Sequence, residues 1–461
     1  MSDRWQQGQI LAFDITDLNS SGEGVGRWEG RVVFVPDAVP GDRITARLVR
    51  VKPTYATGKL LAIETASNER VRPPCIVADK CGGCQCQALS YPGQLAAKHQ
   101  QVADALQRIG GFAALPLDPI MGADQPLHYR NKATYPLGRS DQGTIQAGYY
   151  RKGSHRLINL NQCPVQDERL DPLLAQLKQD IQAQGWSIYN EAKHQGRLRH
   201  LGLRVGRRMG QILITLVSTV DELPNLTTQA EQWIDQFPDV VGVALNHNPQ
   251  RTNAIFGATT RCIAGASYLE EQFAGLRFQI QPTTFFQIHT EQAERLLHSI
   301  QQDLQLQGHE VIIDAYCGIG TLTLPLARQA QFCIGLEVQP DAIAQAEANA
   351  VLNQIENVEF QAGTVEALLP QALVDADILV IDPPRKGCAT EVLDAIAAQP
   401  PATLVYVSCN PATLARDLKR LCQAAGYTLQ RIQPIDFFPQ TAHVECVALL
   451  RRTGSPDHQD L

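Results

Sequence analysis

The sequence has no long apolar run, and no segment approaches the roughly 20 consecutive apolar residues that a membrane-spanning helix requires. Its first residues, MSDRWQQGQI, lack the basic and then apolar order of a secretory signal peptide. Internal repeats and low-complexity segments are absent as well. We therefore expect a cytoplasmic protein that has no membrane partner.

Positive charge is also scarce. The 40 lysines and arginines are outnumbered by 47 aspartates and glutamates, and the formal net charge is −7 at pH 7. This balance excludes a protein that coats nucleic acid through its overall charge, so a nucleic-acid site must be a local basic patch. We expect no DNA partner.

Cysteine is too sparse for a disulfide-rich protein. Twelve cysteines in 461 residues do not make the dense framework of a small secreted domain. In a reducing cytosol such cysteines are metal ligands, nucleophiles or small core residues, and their spacing has to decide between these roles.

The length predicts two or three domains. Residues 1–64 hold short alternating runs between turns, which predict an OB-like β-barrel of about five strands. Residues 65–285 mostly keep a period of two and predict a sheet-rich middle domain, with one helix at 91–111 that could pack on the last domain. From 286 to 452 strands alternate with helices, which predicts a parallel sheet covered on both faces. Residues 453–461 are predicted to be a loose tail.

Acids and glycines cluster at strand ends in the last domain. VIIDAYCGIG places Asp314 at a strand end and Gly318 and Gly320 before the next helix, where glycines let the backbone approach a ligand. Glu337 ends the second strand, and Asp382 ends a later one before two prolines. These strand ends meet at the ligand edge of a parallel sheet. Acids there suit an adenosine ligand with a cationic tail, such as S-adenosylmethionine, better than a pyrophosphate; alternatively they only cap helices.

A cysteine and a glutamate are predicted at the same edge. TLVYVSCN ends on Cys409, at the end of a strand rather than in the core, and the helix after Asn-Pro could lower the thiol pKa. Glu445 interrupts the apolar strand VECVALL, where a carboxylate without a task is costly. If this strand inserts antiparallel beside the first, Glu445 lies near Cys409. Burial would suit Glu445 to general-base catalysis, although it could also be a hydrogen-bonded structural acid.

The segment CIVADKCGGCQC concentrates cysteines after a Pro-Pro break, and a further cysteine follows much later in NQCPV. This spacing, with a proline after the last cysteine, indicates an iron–sulfur cluster. A zinc site would more often use two close pairs of cysteines. The spacing of a radical S-adenosylmethionine site is not present.

One stretch of the middle domain is rich in arginine. GRLRHLGLRVGRRMG predicts a phosphate-binding patch formed by Arg197, Arg199, Arg204, Arg207 and Arg208. HYRNKATYPLG and GYYRKGSHR place aromatic residues between cations, a composition that suits the stacking of unpaired bases. The alternative for the arginines is a solvated strand face.

Four segments, DAYCGIG, DPPRKG, SCNPATLARDL and FPQTAHVE, resemble in this order the signatures of RNA uracil-5-methyltransferases. The N-terminal unit is similar to the TRAM domain of the 23S ribosomal RNA branch, so the resemblance covers most of the chain. It implies a Rossmann-like class I methyltransferase domain with a mostly parallel seven-stranded sheet. It also implies S-adenosylmethionine as methyl donor and RNA as partner, with 23S ribosomal RNA ahead of transfer RNA.

The resemblance further implies residue roles. Cys409 would attack C6 of a flipped-out uracil so that C5 can take the methyl group, and Glu445 would then remove the C5 proton. Cofactor contacts are implied for Gln287, Tyr316, Glu337 and Asp382, and Thr364 is a further candidate. Asp314 and Gly318 join this set from the position of the strand end and the glycine loop. The ribosomal RNA branch carries a [4Fe-4S] cluster on the cysteine pattern, which implies as its ligands Cys75, Cys81, Cys84 and Cys163, with Cys86 as a neighbouring thiol.

Two other functions stay open. Within the same class, the substrate could be the T-loop of transfer RNA. In a different class, the chain could be a non-catalytic iron–sulfur protein that binds RNA or senses redox state on an inherited methyltransferase fold. The joint presence of Cys409, Glu445 and Asp382 counts against a scaffold without activity.

Overall fold

A computed structural model describes residues 5–452. The first five strands close into a barrel in the order β1-β2-β3-β5-β4. Along β1 the apolar residues Leu11, Phe13 and Ile15 alternate with exposed ones, so that one side of each strand fills the interior. The barrel that the sequence predicts is confirmed, although β3 and β5 pair in parallel. Its strands are β1 (Ile10–Leu18), β2 (Gly24–Trp28), β3 (Arg31–Val35), β4 (Arg43–Val51) and β5 (Tyr55–Thr65).

A second, seven-stranded sheet follows, in the order β12-β11-β10-β9-β6-β7-β8. Two helices, α2 and α3, cover one face of it with leucines and two tryptophans. All pairings are antiparallel except that of β10 with β11. Its elements are β6 (Lys132–Arg139), β7 (Ile145–Tyr150), β8 (Leu157–Asn159), α2 (Leu170–Ala183), β9 (Leu198–Val205), β10 (Ile212–Ser218), α3 (Leu226–Gln236), β11 (Val240–His247) and β12 (Thr259–Gly265).

The predicted helix in the middle of the chain is present as α1 (Tyr91–Ala105), which continues through a π-helical turn, Leu106–Gly110. The Ser90 side chain accepts a hydrogen bond from the Gly93 N–H at its start, and Gly111 stops it with a φ of 74°. Its apolar face enters the core of the last domain, because Val102 and Leu106 pack with residues of the C-terminal sheet.

The last sheet has seven strands in the order β17-β16-β15-β18-β19-β21-β20, and helices cover both faces. It is parallel except for β21, which lies antiparallel between β19 and β20. The predicted fold of this domain is therefore confirmed. The elements are α4 (Thr290–Leu304), β15 (Val311–Ala315), α5 (Thr323–Ala327), β16 (Phe332–Glu337), α6 (Pro340–Leu352), β17 (Val358–Ala362), α7 (Val365–Ala372), β18 (Ile378–Ile381), α8 (Thr390–Ala398), β19 (Thr403–Ser408), α9 (Pro411–Ala424), β20 (Tyr427–Ile435) and β21 (Glu445–Arg452).

A hairpin precedes α4 and belongs with the last sheet by its packing. Its strands, β13 (Leu269–Phe273) and β14 (Leu276–Ile280), place their buried side chains in one cluster with the core of that sheet. The boundary predicted at residue 285 would separate this hairpin from its core. The predicted loose tail, residues 453–461, lies outside the described residues. Among residues 5–452, no helix combines the length and the apolar character needed to cross a membrane.

Candidate active site and cysteine cavity

A cavity opens at the carboxyl ends of β15, β18 and β19, the edge that the sequence predicts for a ligand. The chain leaves β15 through Tyr316 and Gly318, both with positive φ (69° and 57°). A Cβ added at Gly318 would meet nothing within 4 Å, so this glycine borders open space. Residues that line the cavity include Phe285, Gln287, Asp314, Tyr316, Gly318, Asp382, Val407 and Phe437.

Two carboxyl groups, those of Asp314 and Asp382, face this cavity, and within residues 5–452 neither is paired with a cation. Asp314 is only 1% exposed, and its Oδ2 accepts a hydrogen bond from the Thr323 hydroxyl at 2.5 Å. Its Oδ1 has no hydrogen-bond partner among the described residues. Burial, with Asp382 and Glu337 nearby, raises the pKa of Asp314 to about 7, and burial raises the pKa of Asp382 to about 6. A cationic ligand in the cavity would stabilise the ionised form of both carboxyl groups and lower their pKa values.

The other predicted cofactor residues are placed differently. Glu337 ends β16 but does not line the cavity, and its oxygens accept hydrogen bonds from the backbone N–H groups of Gly318 (3.3 Å) and Gln339 (2.9 Å). Thr364 is exposed at the start of α7 and also lies outside the lining. Sequence reasoning missed Phe437, because an apolar residue before a strand carries no polar signal.

Cys409 and Glu445 lie at the same edge as expected. Ser408 at the end of β19 pairs with Cys446 of β21, so Cys409 follows the last pair and Glu445 stands beside it. Glu445 is 5% exposed, and its Oε1 has no hydrogen-bond partner among the described residues. The thiol itself is half-buried. A thiol and a buried carboxyl oxygen without a partner therefore stand on adjacent strand ends.

The backbone around Cys409 is held by its neighbours. The Ser408 hydroxyl accepts a hydrogen bond from the Asn410 N–H at 3.2 Å. The Asn410 side chain caps α9 by accepting from the Ala412 N–H at 3.1 Å, and its amide donates to the Arg385 carbonyl at 3.1 Å. The strand end that carries Cys409 is thus tied to the loop that follows β18.

The expected lowering of the thiol pKa by α9 is wrong. Burial, then Glu445 and Asp382, raise the pKa of Cys409 to about 11, while Arg385 lowers it only in part. Burial and Asp382 likewise raise the pKa of Glu445 well above its usual range. Burial is the largest cause of this rise in the thiol pKa, and the nearby carboxyl groups add to it. At neutral pH the thiol is therefore protonated in the free protein.

The four cysteines implied as cluster ligands, Cys75, Cys81, Cys84 and Cys163, line one further cavity with Arg130 and Tyr149. Burial raises the pKa of Cys163 to about 12 and also raises the pKa values of Cys81 and Cys84. The Nε of Arg130 is buried and has no hydrogen-bond partner among the described residues. A cation without a partner beside several thiols fits an anionic group in the cavity.

Cys86 does not line this cavity. It is buried beside Lys98, and burial raises the pKa of its thiol to about 11. Across residues 5–452, the side chains of His, Cys, Asp and Glu form no group of three or more that could hold a metal ion as they stand. The metal site that the sequence predicts is not shown.

The predicted arginine patch on β9 does not form. Arg199 is 6% exposed and donates to the carbonyls of Asn248 (2.9 Å) and Gln250 (2.7 Å). Arg207 and Arg208 form ion pairs with carboxylates of the neighbouring segments. Arg197 is exposed and Arg204 is buried. The prediction failed because the sequence of a basic stretch does not show whether its side chains face solvent or bind acceptors inside the protein.

The segment GYYRKGSHR lies at a groove between the barrel and the cysteine loop. Tyr150 is 40% exposed there, and Arg151 is exposed beside it. Lys152 pairs with Asp37 of the barrel, which ties the two domains together. An open aromatic ring next to a cation suits a stacked base.

Comparison with known proteins agrees with this architecture. Residues 4–61 match the TRAM domain, and residues 261–453 match the family described as tRNA (Uracil-5-)-methyltransferase. The chain is 26% identical to a tRNA (uracil-54, C5)-methyltransferase of Pyrococcus abyssi whose structure holds S-adenosyl-L-homocysteine. That match has a TM-score of 0.77 and covers 95% of this chain and 100% of that one.

Relatives with higher identity match nearly the whole chain. An uncharacterized RNA methyltransferase of Nostoc sp. is 60% identical over 97% of both chains. One of Synechocystis sp. is 55% identical over 97% of this chain and 96% of its own length. The chain therefore belongs to the RNA uracil-5-methyltransferase family and is an S-adenosylmethionine-dependent RNA methyltransferase that carries an N-terminal TRAM domain.

Proposed function

We propose that the enzyme transfers a methyl group to C5 of a specific uridine in 23S ribosomal RNA, with Cys409 as nucleophile and Glu445 as general base. The observation that carries this proposal is the position of the two residues. They stand side by side on neighbouring strand ends, at the edge where the carboxyl groups of Asp314 and Asp382 face a cavity without a cation. Uracil C5 is a weak nucleophile, and a thiol next to a free carboxylate suits a route through covalent addition.

The first step is addition of the Cys409 sulfur to C6 of a uracil that has been flipped out of its stack. This bond places an enolate across C4 and C5, so that C5 gains the electrons it needs to take a methyl group. Because a thiol pKa of about 11 leaves roughly one thiolate in 10⁴ at pH 7, the proton has to leave as substrate binds. Cations that bind beside Glu445 and Asp382 lower the thiol pKa and favour this loss.

The second task is removal of the C5 proton. Glu445 Oε1 accepts no hydrogen bond within the described residues, and the raised pKa of Glu445 makes its ionised form a stronger base, so the ionised carboxylate can receive this proton. As the C5–H bond breaks, its electron pair re-forms the C5–C6 double bond and expels the Cys409 sulfur. The product is 5-methyluridine and the enzyme is regenerated.

The cavity residues fit S-adenosylmethionine, which supplies an electrophilic methyl group when bound. Asp314 Oδ1 is a buried acceptor without a partner and suits the ammonium group of the ligand. Gly318 opens the backbone, and Gln287 and Tyr316 line the same space. Glu337 and Thr364 lie at neighbouring strand ends and complete the proposed binding residues.

An RNA that contains 5-fluorouridine tests this mechanism, because fluorine at C5 cannot leave as a proton and the adduct persists. We expect the wild type with S-adenosylmethionine to form a covalent complex that survives denaturing electrophoresis. Cys409→Ala should form none, and Cys262→Ala, which removes an exposed cysteine of β12, should behave like the wild type. Failure of the wild type to form an adduct with any ribosomal or transfer RNA would contradict the proposal and favour a non-catalytic RNA-binding protein.

Transfer RNA is the second candidate substrate. The Pyrococcus abyssi protein whose fold matches 95% of this chain is named as a methyltransferase of uracil 54 in tRNA. The TRAM barrel and the cysteine loop favour ribosomal RNA by family resemblance. Transcripts of 23S rRNA and of tRNA, incubated in parallel with labelled methyl donor, distinguish the two. Label in the tRNA alone would overturn the ribosomal assignment and leave the chemistry intact.

We also propose that Cys75, Cys81, Cys84 and Cys163 hold a [4Fe-4S] cluster. The support is that the four thiols border one cavity beside Arg130, whose buried Nε lacks a partner. A single metal ion needs its ligands close together, whereas a cubane holds its four cysteines farther apart around a larger group. Cys86 lies outside the cavity, next to Lys98, and is not proposed as a ligand.

Anaerobic purification tests the cluster. We expect brown protein with about four irons per chain. Cys84→Ala should lose iron and colour, whereas the matched variant Cys86→Ala should keep both. Colourless wild-type protein that contains zinc would refute the assignment.

A further inference from the structure

Two cations lie side by side on the face of the middle sheet that α2 and α3 leave uncovered. Lys132 on β6 and Arg204 on β9 are direct partners across the strand pair. Arg204 is 4% exposed, and Lys132 is half-buried with its Nζ 5.1 Å from the centre of the Phe256 ring. Ordinary β-sheet pairs avoid two like charges directly opposite each other.

Neither cation has an acidic partner among the described residues. The Nη2 of Arg204 donates to the Thr284 carbonyl at 2.6 Å, but its Nε and Nη1 are buried without hydrogen-bond partners. Burial, and then Arg204, lower the pKa of Lys132 to about 6, and burial lowers the pKa of Arg204 to about 10. Other arginines of this domain differ, since Arg207 and Arg208 are paired with carboxylates. An uncompensated pair of buried cations is costly for folding and marks a place for an anion.

The pair adjoins the cofactor cavity. Arg204 bonds to Thr284, three residues before Gln287, which lines that cavity. Asn131, next to Lys132 in the chain, donates from its side chain to the Gln287 carbonyl at 2.8 Å and from its backbone to the Ile288 carbonyl at 3.0 Å. The cations and the cofactor-lining segment are therefore held in fixed register.

The wall behind Lys132 is also fixed. The loop that carries Phe256 leaves β11 and returns at Gly257, which exchanges two hydrogen bonds with the buried side chain of Asn246. Arg199 binds the carbonyls at the start of this loop. Lys132 consequently stands between a held aromatic ring and a buried guanidinium.

We propose that Lys132 and Arg204 form a binding site for a phosphodiester group of the RNA, next to the uridine that enters the active site. The inference rests on the proposed function in that RNA is the substrate. Lys132 contacts the phosphate, and the buried Arg204 on the neighbouring strand supplies the second positive charge. A bound phosphate raises the pKa of Lys132 again, so that the amine takes up a proton and is charged in the complex. The contact fixes the nucleotide chain beside the cofactor segment.

Lys132→Met tests the site, because methionine keeps the shape of the side chain and removes its charge. The probe is a mixture of bulk ribosomal and transfer RNA, and affinity is measured as a function of salt. We expect the dissociation constant to rise about 5- to 10-fold and the slope of log affinity against log salt to shrink by about 0.7, the value for one phosphate contact on a single strand. Lys132→Arg should restore both. Lys419→Met removes an exposed lysine of α9 and should leave both unchanged.

Further measurements distinguish the possible outcomes. Thermal stability without RNA should rise in Lys132→Met at neutral pH, because burial lowers the pKa of this lysine to about 6 and the folded protein must give up a proton that the unfolded chain keeps. Unchanged RNA affinity and salt slope in this variant would overturn the site. A weaker affinity for S-adenosylmethionine with unchanged RNA affinity would also overturn it and assign the anion to the cofactor carboxylate. Loss of methyl transfer by the wild type itself would instead contradict the proposed function.

Discussion

Two regions on either side of the segment Thr284–Gln287 carry uncompensated charge of opposite sign. On the C-terminal sheet, Asp314, Asp382 and Glu445 are acids whose pKa values are raised by burial and by one another. On the middle sheet, Lys132 and Arg204 are cations whose pKa values are lowered. Burial, and then Arg204, lower the pKa of Lys132, and burial lowers the pKa of Arg204, so the acids are not among the causes of either shift.

Neither region stabilises the fold through its charged groups. Other buried charges of the protein are paired with an opposite charge, as Lys98 is with Asp436 at 2.6 Å, or with carbonyls, as Arg199 is. A buried charge left alone lowers stability and is retained where a ligand completes it. The acids suit a cationic methyl donor and the cations suit a nucleic-acid phosphate, so the two partners of the reaction meet at the segment between them.

Glu445→Gln should have the largest effect on the acidic side. An amide cannot take the C5 proton, so we expect turnover to fall about 10²- to 10⁴-fold. Cys409 can still add to uracil, and a covalent complex with ordinary RNA should accumulate. Denaturing electrophoresis of RNA labelled through the methyl group measures it. The exposed Glu347→Gln is the control. A variant that turns over normally would remove Glu445 from the mechanism.

Asp314→Asn should weaken S-adenosylmethionine binding about 10- to 100-fold, because the neutral amide no longer attracts the ammonium group. Calorimetric titration measures this, with the exposed Asp375→Asn as control. Equal affinity in variant and wild type would place the ammonium group elsewhere.

The same variant should be more stable than the wild type in the absence of ligand. The folded pKa of Asp314 is about 7, above the usual 4 of an unfolded chain, so the folded state holds an extra proton between these values. Wild-type stability therefore falls as pH rises from about 4 to 7, and the full deficit, on the order of 4 kcal/mol, is present above pH 7. Urea unfolding should show a gain of Asp314→Asn that is clearly larger at pH 8 than at pH 5.

A double-mutant cycle of Asp314→Asn with Lys132→Met tests whether the two regions are independent. Since neither group shifts the pKa of the other, their effects on the free energy of unfolding should add to within about 0.5 kcal/mol. A larger coupling energy would mean that the acids and the cations compensate each other and that the two regions are not independent.

The smallest effect is expected for Arg208→Met. This side chain is 41% exposed and already paired with Glu294, so it has little charge to offer a phosphate. We expect the salt slope of RNA binding to stay unchanged and stability to change by about 0–1 kcal/mol. A loss of RNA affinity equal to that of Lys132→Met would restore the arginine patch that the sequence predicts.

The strand ends that carry the candidate site residues were predicted well from the sequence. The alternation of strands and helices and the rules of strand connection constrain where those residues lie. Strands that alternate with helices form a parallel sheet, and Asp314, Asp382 and Cys409 had to gather at one edge. The antiparallel insertion of β21 beside β19 was the condition on which Glu445 would lie near Cys409, and the structure shows that pairing. Predictions that depended on the surroundings of a side chain failed or stayed open: the sign of the Cys409 pKa shift, the partners of Arg199, and the lining of the cavity by Glu337.

By itself the sequence determined the barrel, the doubly covered sheet, and the residue types at its ligand edge, because these follow from local periodicity and from the rules of strand connection. Only the tertiary structure decided which charges are paired. Arg204 and Arg207 are equivalent in the sequence, yet one is buried without an acid and the other faces two. Coulomb energy and desolvation depend on distances between segments far apart in the chain, and those distances exist only after folding.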